Sequence, residues 1–314
     1  MVLRHDQSEL RTENWEVGSL DIDVDLVCRL VAAQFPEWSH LTIAPVTAGG
    51  WDHRTFRLGH HMTVRLPSAE AYAAQVEKEQ QWLPRLAPLL PLAIPTPLAR
   101  GRPSNEFPWH WSIYRWIAGE TASIANISNM TDFAVQLGRF LNRLQQVDTR
   151  GGPRPGPHNF YRGGRLGVYD QETRQAISDL DGQIDRVWAT RVWEAALAAP
   201  SNDPAVWIHG DVEPTNLLVN DEGQLSAVID FGLCGVGDPA CDLVMAWTFF
   251  SGKGRDTFRA NLLADDGTWL RARGWALWKG LIQLAETSPV NSAKRQAARQ
   301  VVQTLRDEDD QFRC

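Results

Sequence analysis

The sequence predicts an α+β fold in two lobes, an antiparallel β lobe over residues 1–117 and a mainly helical lobe over residues 118–314. Three observations carry that prediction. A chain of 314 residues with 43% hydrophobic content can bury more than one core. Short alternating apolar segments follow a single amphipathic helix near the N-terminus, and helical periodicity takes over after Ala118-Gly119-Glu120.

Taken in order, apolar positions at Ile22, Leu26, Val27, Leu30 and Val31 predict a helix over Asp21–Phe35, with Ser19 or Asp21 as its cap. Val46–Asp52 and Thr55–Leu58 read as strands joined by a glycine-containing turn, and Met62–Leu66 as a third, so that three short antiparallel strands follow one helix. Side chains alternate along a strand, so Met62, Val64 and Leu66 share one face and Arg65 points to the other. The next helix, Glu70–Leu83, places Tyr72, Val76, Glu79 and Leu83 on one stripe. A carboxylate on that stripe needs a partner, and Arg65 is the nearest by topology. Pro84, Pro88, Pro91, Pro95 and Pro97 break the chain, after which Trp109–Ile117 reads as a strand. Helices are expected over Met130–Val147 and from Gln171 onward, and the acidic run Asp307–Asp310 as a solvated terminus.

The net charge of −7, with a sequence pI near 5.6 and no run of Lys or Arg, argues against nucleic acid or an anionic membrane as a partner. No uninterrupted apolar stretch is long enough to span a bilayer and the N-terminus lacks an apolar core, so a cytoplasmic location is expected. Cys28, Cys234, Cys241 and Cys314 show no C-x-x-C spacing and read as free thiols.

Chemistry is concentrated in His209-Gly210-Asp211-Val212-Glu213-Pro214-Thr215-Asn216 and Ile229-Asp230-Phe231-Gly232. Asn220-Asp221-Glu222-Gly223 is a turn between apolar runs, so the segment from Asn216 to Asp230 is expected to form a hairpin with those two residues side by side at its open end. Two hard oxygen ligands with Asp211 beside them suit phosphoryl transfer: Mg²⁺ takes one or two protein oxygens and completes its shell with phosphates and water. Gly235-Val236-Gly237-Asp238-Pro239-Ala240 also matches a dinucleotide-binding spacing, but it follows these residues instead of opening a β-α-β unit and is read as a chance match.

The pair of motifs resembles the H-G-D-x-x-x-x-N and I-D-F-G motifs of the aminoglycoside phosphotransferase family, whose fold is similar to that of protein kinases. The resemblance extends from about Val46 to about Leu281. It implies a small-molecule kinase with Asp211 as catalytic base, His209 as a brace and secondary catalytic candidate, and Asn216 and Asp230 as magnesium ligands. It also implies that Trp51 and Asp52 lie in a phosphate-covering turn, that Arg65 and Glu79 form a phosphate clamp, and that Tyr114 and Trp116 lie in the hinge that carries the adenine of ATP, with GTP possible. Arg65 stands where many members carry Lys.

Acceptor contacts are expected from Glu213, Asp238, Asp242, Trp275 and Trp278, with Asp242 read first as a brace and the tryptophans first as core. The acidic residues Glu213, Asp238, Asp265, Asp266 and Glu286 point to a polycationic acceptor, an aminoglycoside-type antibiotic, and hence to resistance. The alternatives are a macrolide or peptide antibiotic, a metabolite such as choline or homoserine, or a nucleotide-binding pseudokinase.

Overall fold

The computed structural model describes residues 21–46, 52–201, 204–286 and 292–311. The chain divides into two units: residues 1–85 with 95–117, and residues 86–94 with 118–314.

In the first unit a five-stranded sheet in the order β1-β2-β3-β5-β4 is built from Ile43–Pro45 (β1), His53–Leu58 (β2), Met62–Pro67 (β3), Pro97–Gly101 (β4) and Trp111–Arg115 (β5). Every pairing is antiparallel. Helix α1 (Val24–Gln34) lays Leu26, Val27, Leu30 and Val31 against Phe56, Leu58, Val64, Leu66, Trp111 and Ile113. Its cap is Asp23, which accepts from the Leu26 amide at 2.8 Å, in place of the expected Asp21; Ser19 lies outside the described residues. The helix opens at Val24, so only Asp23 stands where a side chain reaches the first free amides.

Most of the strand expected over Val46–Asp52 falls on residues 47–51, outside the described ones, and the described partner of β2 is the shorter β1. Helix α2 (Glu70–Leu86) runs through Pro84 instead of stopping there. The missing amide removes one bond in the last turn, where carbonyls are already running out of partners. Pro97 opens an edge strand, a position that asks nothing of its nitrogen.

The second unit is mainly helical. Helix α3 (Met130–Gln145), capped by Asn129, buries Phe133, Leu137, Phe140, Leu141 and Leu144 at helical spacing. After α4 (Asp170–Asp179) and α5 (Arg186–Ala198) come the strands that position the chemistry. β7 (Val206–Ile208) pairs with β10 (Gly235–Gly237), while β6 (Glu120–Thr121), β8 (Leu217–Val219) and β9 (Leu225–Val228) form a second small sheet. The helices α6 (Met245–Thr248), α7 (Gly252–Ala260), α8 (Asp266–Ala285) and α9 (Ser292–Gln311) complete the unit. Residues 86–94 belong here because the Ala93 carbonyl accepts from Val228 at 3.0 Å along β9.

The acidic end of α9 is docked and not merely solvated. Asp309 accepts from Arg191 and from the Trp188 indole, Glu308 accepts from the Trp247 indole, and Arg273 pairs with both carboxylates. No helix among the described residues is long and apolar enough to cross a membrane.

Candidate active site

In the first unit the strand-helix pair expected from alternation is present: Arg65 Nη1 lies 3.4 Å from Glu79 Oε1, and Glu79 is 1% exposed. A third member completes the cluster. The Tyr114 hydroxyl donates to Glu79 Oε2 at 2.5 Å, so this buried tyrosine fixes the carboxylate. The reason is its place on β5, where it faces the same way as Arg65 on the neighbouring strand. Trp116 lies beneath the Arg57 guanidinium, 3.6 Å from it, and its amide donates to the His61 carbonyl. Asp52 holds the end of β3 by accepting the Ser68 amide and hydroxyl on its carbonyl; Trp51 lies outside the described residues.

In the second unit the pairing of β7 with β10 sets the His209–Asp211 loop beside the turn Pro239–Leu243. Asp242, 1% exposed, accepts from the His209 amide with Oδ2 and the Gly210 amide with Oδ1, each at 2.7 Å. Each of its oxygens is thus used in shaping the loop, the brace read first for this residue. Gly210 takes φ +86° and a Cβ there would stand 2.4 Å from the Leu233 carbonyl, so only glycine fits. His209 accepts from the Asp211 amide at Nδ1, 3.2 Å, and sits 2.9 Å from the Ile229 carbonyl at Nε2. With an amide on one nitrogen and a carbonyl on the other, both nitrogens are in use and His209 braces the loop.

Asn216 donates from Nδ2 to the Asp211 carbonyl at 2.9 Å and to its Oδ2 at 3.1 Å, which turns the amide oxygen away from Asp211. The hairpin forms about a turn centred on Glu222, where Val219 faces Leu225, and an irregularity at Leu218/Val219 then moves the pairing by one residue, so that Leu217 faces Val228. The Asn216 carbonyl consequently accepts from Ile229 at 2.9 Å, and Asp230 follows one residue on, in the left-handed region at φ 64°. A non-glycine residue held there is strained, a feature that clusters at functional positions. Burial, then the charge of Glu213, raises the Asp211 carboxyl to about 7, against the opposing pull of Lys279 and Arg162.

Asp211 lines a pocket with Arg162, Val212, Trp275, Trp278 and Lys279. Trp275 and Trp278 are both core, at 2% and 5% exposure, and pocket wall. Tyr169 packs on both rings, and the Trp278 indole donates to Glu172. Sequence reasoning missed Arg162 and Lys279; Lys279 could have been found one turn beyond Trp275 on α8, while Arg162 sits in a loop without period.

The acidic residues expected to attract a polycation are already engaged. Glu213 pairs with Lys279, Asp238 caps its turn and takes a two-pronged ion pair from Arg271, Asp265 caps α8, Asp266 meets Arg259, and Glu286 meets Lys294. Asp238 is consequently structural, not an acceptor contact.

A helix-backed antiparallel sheet followed by a mainly helical unit defines the kinase-like class of folds. The profile of the phosphotransferase enzyme family matches residues 42–280, and the chain belongs to that family. A search of curated proteins gives no significant match. Among solved structures, the GDP complex of wild-type aminoglycoside 2'-phosphotransferase-IIIa superposes with a TM-score of 0.72 at 19% identity, covering 90% of this chain and 98% of that one. A GDP and kanamycin complex of an APH(2") enzyme gives a TM-score of 0.70 at 19% identity over 91% and 98% of the two chains. The macrolide 2'-phosphotransferase MphH from Brachybacterium faecium gives 0.57 at 23% identity over 89% and 97%. At such identities the likeness establishes the fold.

Proposed function

We propose that the chain transfers the terminal phosphoryl group of a nucleoside triphosphate, ATP or alternatively GTP, to a hydroxyl of a small molecule. The observation that carries this reading is Asp211: a half-buried carboxylate raised to about 7, clamped by Asn216 beside Asp230, and opening on a pocket. A base poised near neutral pH accepts the hydroxyl proton as the oxygen attacks phosphorus and the bond to the nucleoside diphosphate breaks. Asn216, through its amide oxygen, and Asp230 suit Mg²⁺, whose charge would offset that of the phosphates; hard oxygens in small number match that ion. Arg65, steadied by Glu79 and Tyr114, is the phosphate clamp of the first unit. Neighbours in fold crystallised with GDP and kanamycin support a nucleotide donor and a small-molecule acceptor.

The test is nucleotide consumption against a broad panel of alcohols, with two variants beside the unmodified protein. Asp211→Asn should lower turnover by about 10²–10⁴-fold while leaving Mg-nucleotide affinity near its original value. Asp230→Ala should abolish Mg²⁺-dependent nucleotide binding in calorimetry. Unchanged turnover in the first variant, or unchanged affinity in the second, would remove that residue from its role. A pseudokinase would bind nucleotide and transfer to nothing, water included.

A further inference from the structure

The pocket of Asp211 carries a guanidinium, that of Arg162, which acts through space on Asp211 and Glu213 but is taken up directly by neither. Arg162 is half-buried, and among the described residues its guanidinium makes no ion pair and donates no hydrogen bond; Lys279, the other cation there, is matched to Glu213. What holds Arg162 is aromatic: its guanidinium centre lies 4.8 Å from the Trp278 ring and 5.3 Å from that of Trp275. Stacking on ring faces leaves the in-plane N–H groups of a guanidinium available, the geometry that takes a carboxylate or phosphate two-pronged.

The loop that presents Arg162 is locked in place. Asn159, fully buried, accepts from the Gly156 amide and donates to the Arg162 and Leu233 carbonyls, and Gly163 accepts from the Asp238 amide. Phe160 and Tyr161 are both left-handed, at φ 48° and 57°, a conformation costly for aromatic residues and kept where the surroundings enforce it. A strained, cross-braced loop that delivers an unmatched guanidinium to the pocket of Asp211 is a pre-organised anion receptor.

We propose that Arg162 recognises the acceptor, and that the acceptor is a small hydroxylated molecule bearing a carboxylate or equivalent anion a few bonds from the hydroxyl that Asp211 deprotonates. This rests on the reading of Asp211 as base. A polyamine in the same pocket would meet the Arg162 guanidinium with like charge, since Lys279 is already matched to Glu213.

The experiment measures kcat/KM for a graded series of hydroxycarboxylic acids, each paired with its primary amide, with kanamycin as the polycation. Loss of a charge-assisted hydrogen bond predicts an acid-to-amide ratio of roughly tenfold or more in the best pair. Arg162→Gln should bring that ratio to about one, and Arg162→Lys should restore part of it. The ratio of the unmodified protein tests the idea even if a variant fails to fold. Equal turnover of acids and amides, or transfer to the amides or to kanamycin alone, would overturn the inference and leave the role of Asp211 standing. So would an Arg162→Gln protein that slows both members of a pair equally, since the guanidinium would then be acting on the transferring phosphoryl group. No transfer to any compound would count against the phosphotransferase reading itself.

Discussion

At the scale of single residues, Tyr114 shows how a side chain acts through another. Glu79 is almost wholly buried and has two partners in this cluster, Arg65 on one oxygen and the Tyr114 hydroxyl on the other. Burial and the adjacent Glu79 charge both raise the Tyr114 phenol well above its usual value, so it stays a donor throughout the working pH range. Tyr114→Phe removes that donor and leaves a buried carboxylate under-satisfied, for an expected loss of about 1–3 kcal/mol in unfolding free energy. If Glu79 in turn steadies Arg65 on the nucleotide, the same variant should raise KM for the nucleotide several-fold and leave kcat near its original value. Steady-state kinetics with the nucleotide varied checks the split; a fall in kcat alone would assign the hydroxyl a different part.

At the scale of elements, the turn Pro239–Leu243 and the His209–Asp211 loop form one device, joined by the two amide hydrogen bonds that Asp242 accepts. Asp242→Ala strands two buried amides and should cost about 2–5 kcal/mol by denaturant melts. Asp242→Asn, which keeps one acceptor oxygen and sheds a buried charge, should cost less. This element also shows what a sequence can and cannot disclose. The strand alternation that set Arg65 against Glu79, and the turn that made a hairpin between Asn216 and Asp230, are periodic or local, and both were legible. The hairpin register was not: counting symmetrically from Gly223 set Asn216 opposite Asp230, whereas the turn is centred on Glu222, with Val219 facing Leu225, and the irregularity at Leu218/Val219 makes up one residue of the difference, leaving Asn216 opposite Ile229. Arg162 meeting Trp275 and Trp278, and the end of α9 meeting Arg191 and Arg273, join residues far apart in sequence, and no period marks them. For side chains with two possible uses, such as Asp242 and His209, the bracing contacts are seen only in which atoms they bond.

For the whole molecule, the buried carboxyls set a dependence of stability on pH that runs against the usual acidic decline. Asp211 is raised from 3.8 to about 7, chiefly by burial, and Asp242 is raised by the same cause. A carboxyl with a higher value folded than unfolded binds its proton more tightly in the folded state, so it favours folding below the unfolded value and penalises it as the proton leaves. For Asp211 that penalty grows from about pH 4 to about 7 and is complete above. Asp265 and Asp309 are shifted the other way: hydrogen bonds from Thr268 lower the first, and Arg273 and Arg191 outweigh burial at the second. Their contributions are present above the unfolded carboxyl range and fade as pH falls through their lowered values. The melting temperature of the ligand-free protein should therefore peak in mildly acidic solution and decline toward pH 8. Asp211→Asn, which carries no charge to desolvate, should flatten the alkaline side, melting above the unmodified protein at pH 8 and close to it at pH 5. Calorimetric scans of both proteins across that range make the comparison. A variant that melts lower than the unmodified protein at pH 8 would show that the Asp211 charge is held by compensating partners and not at the expense of the fold.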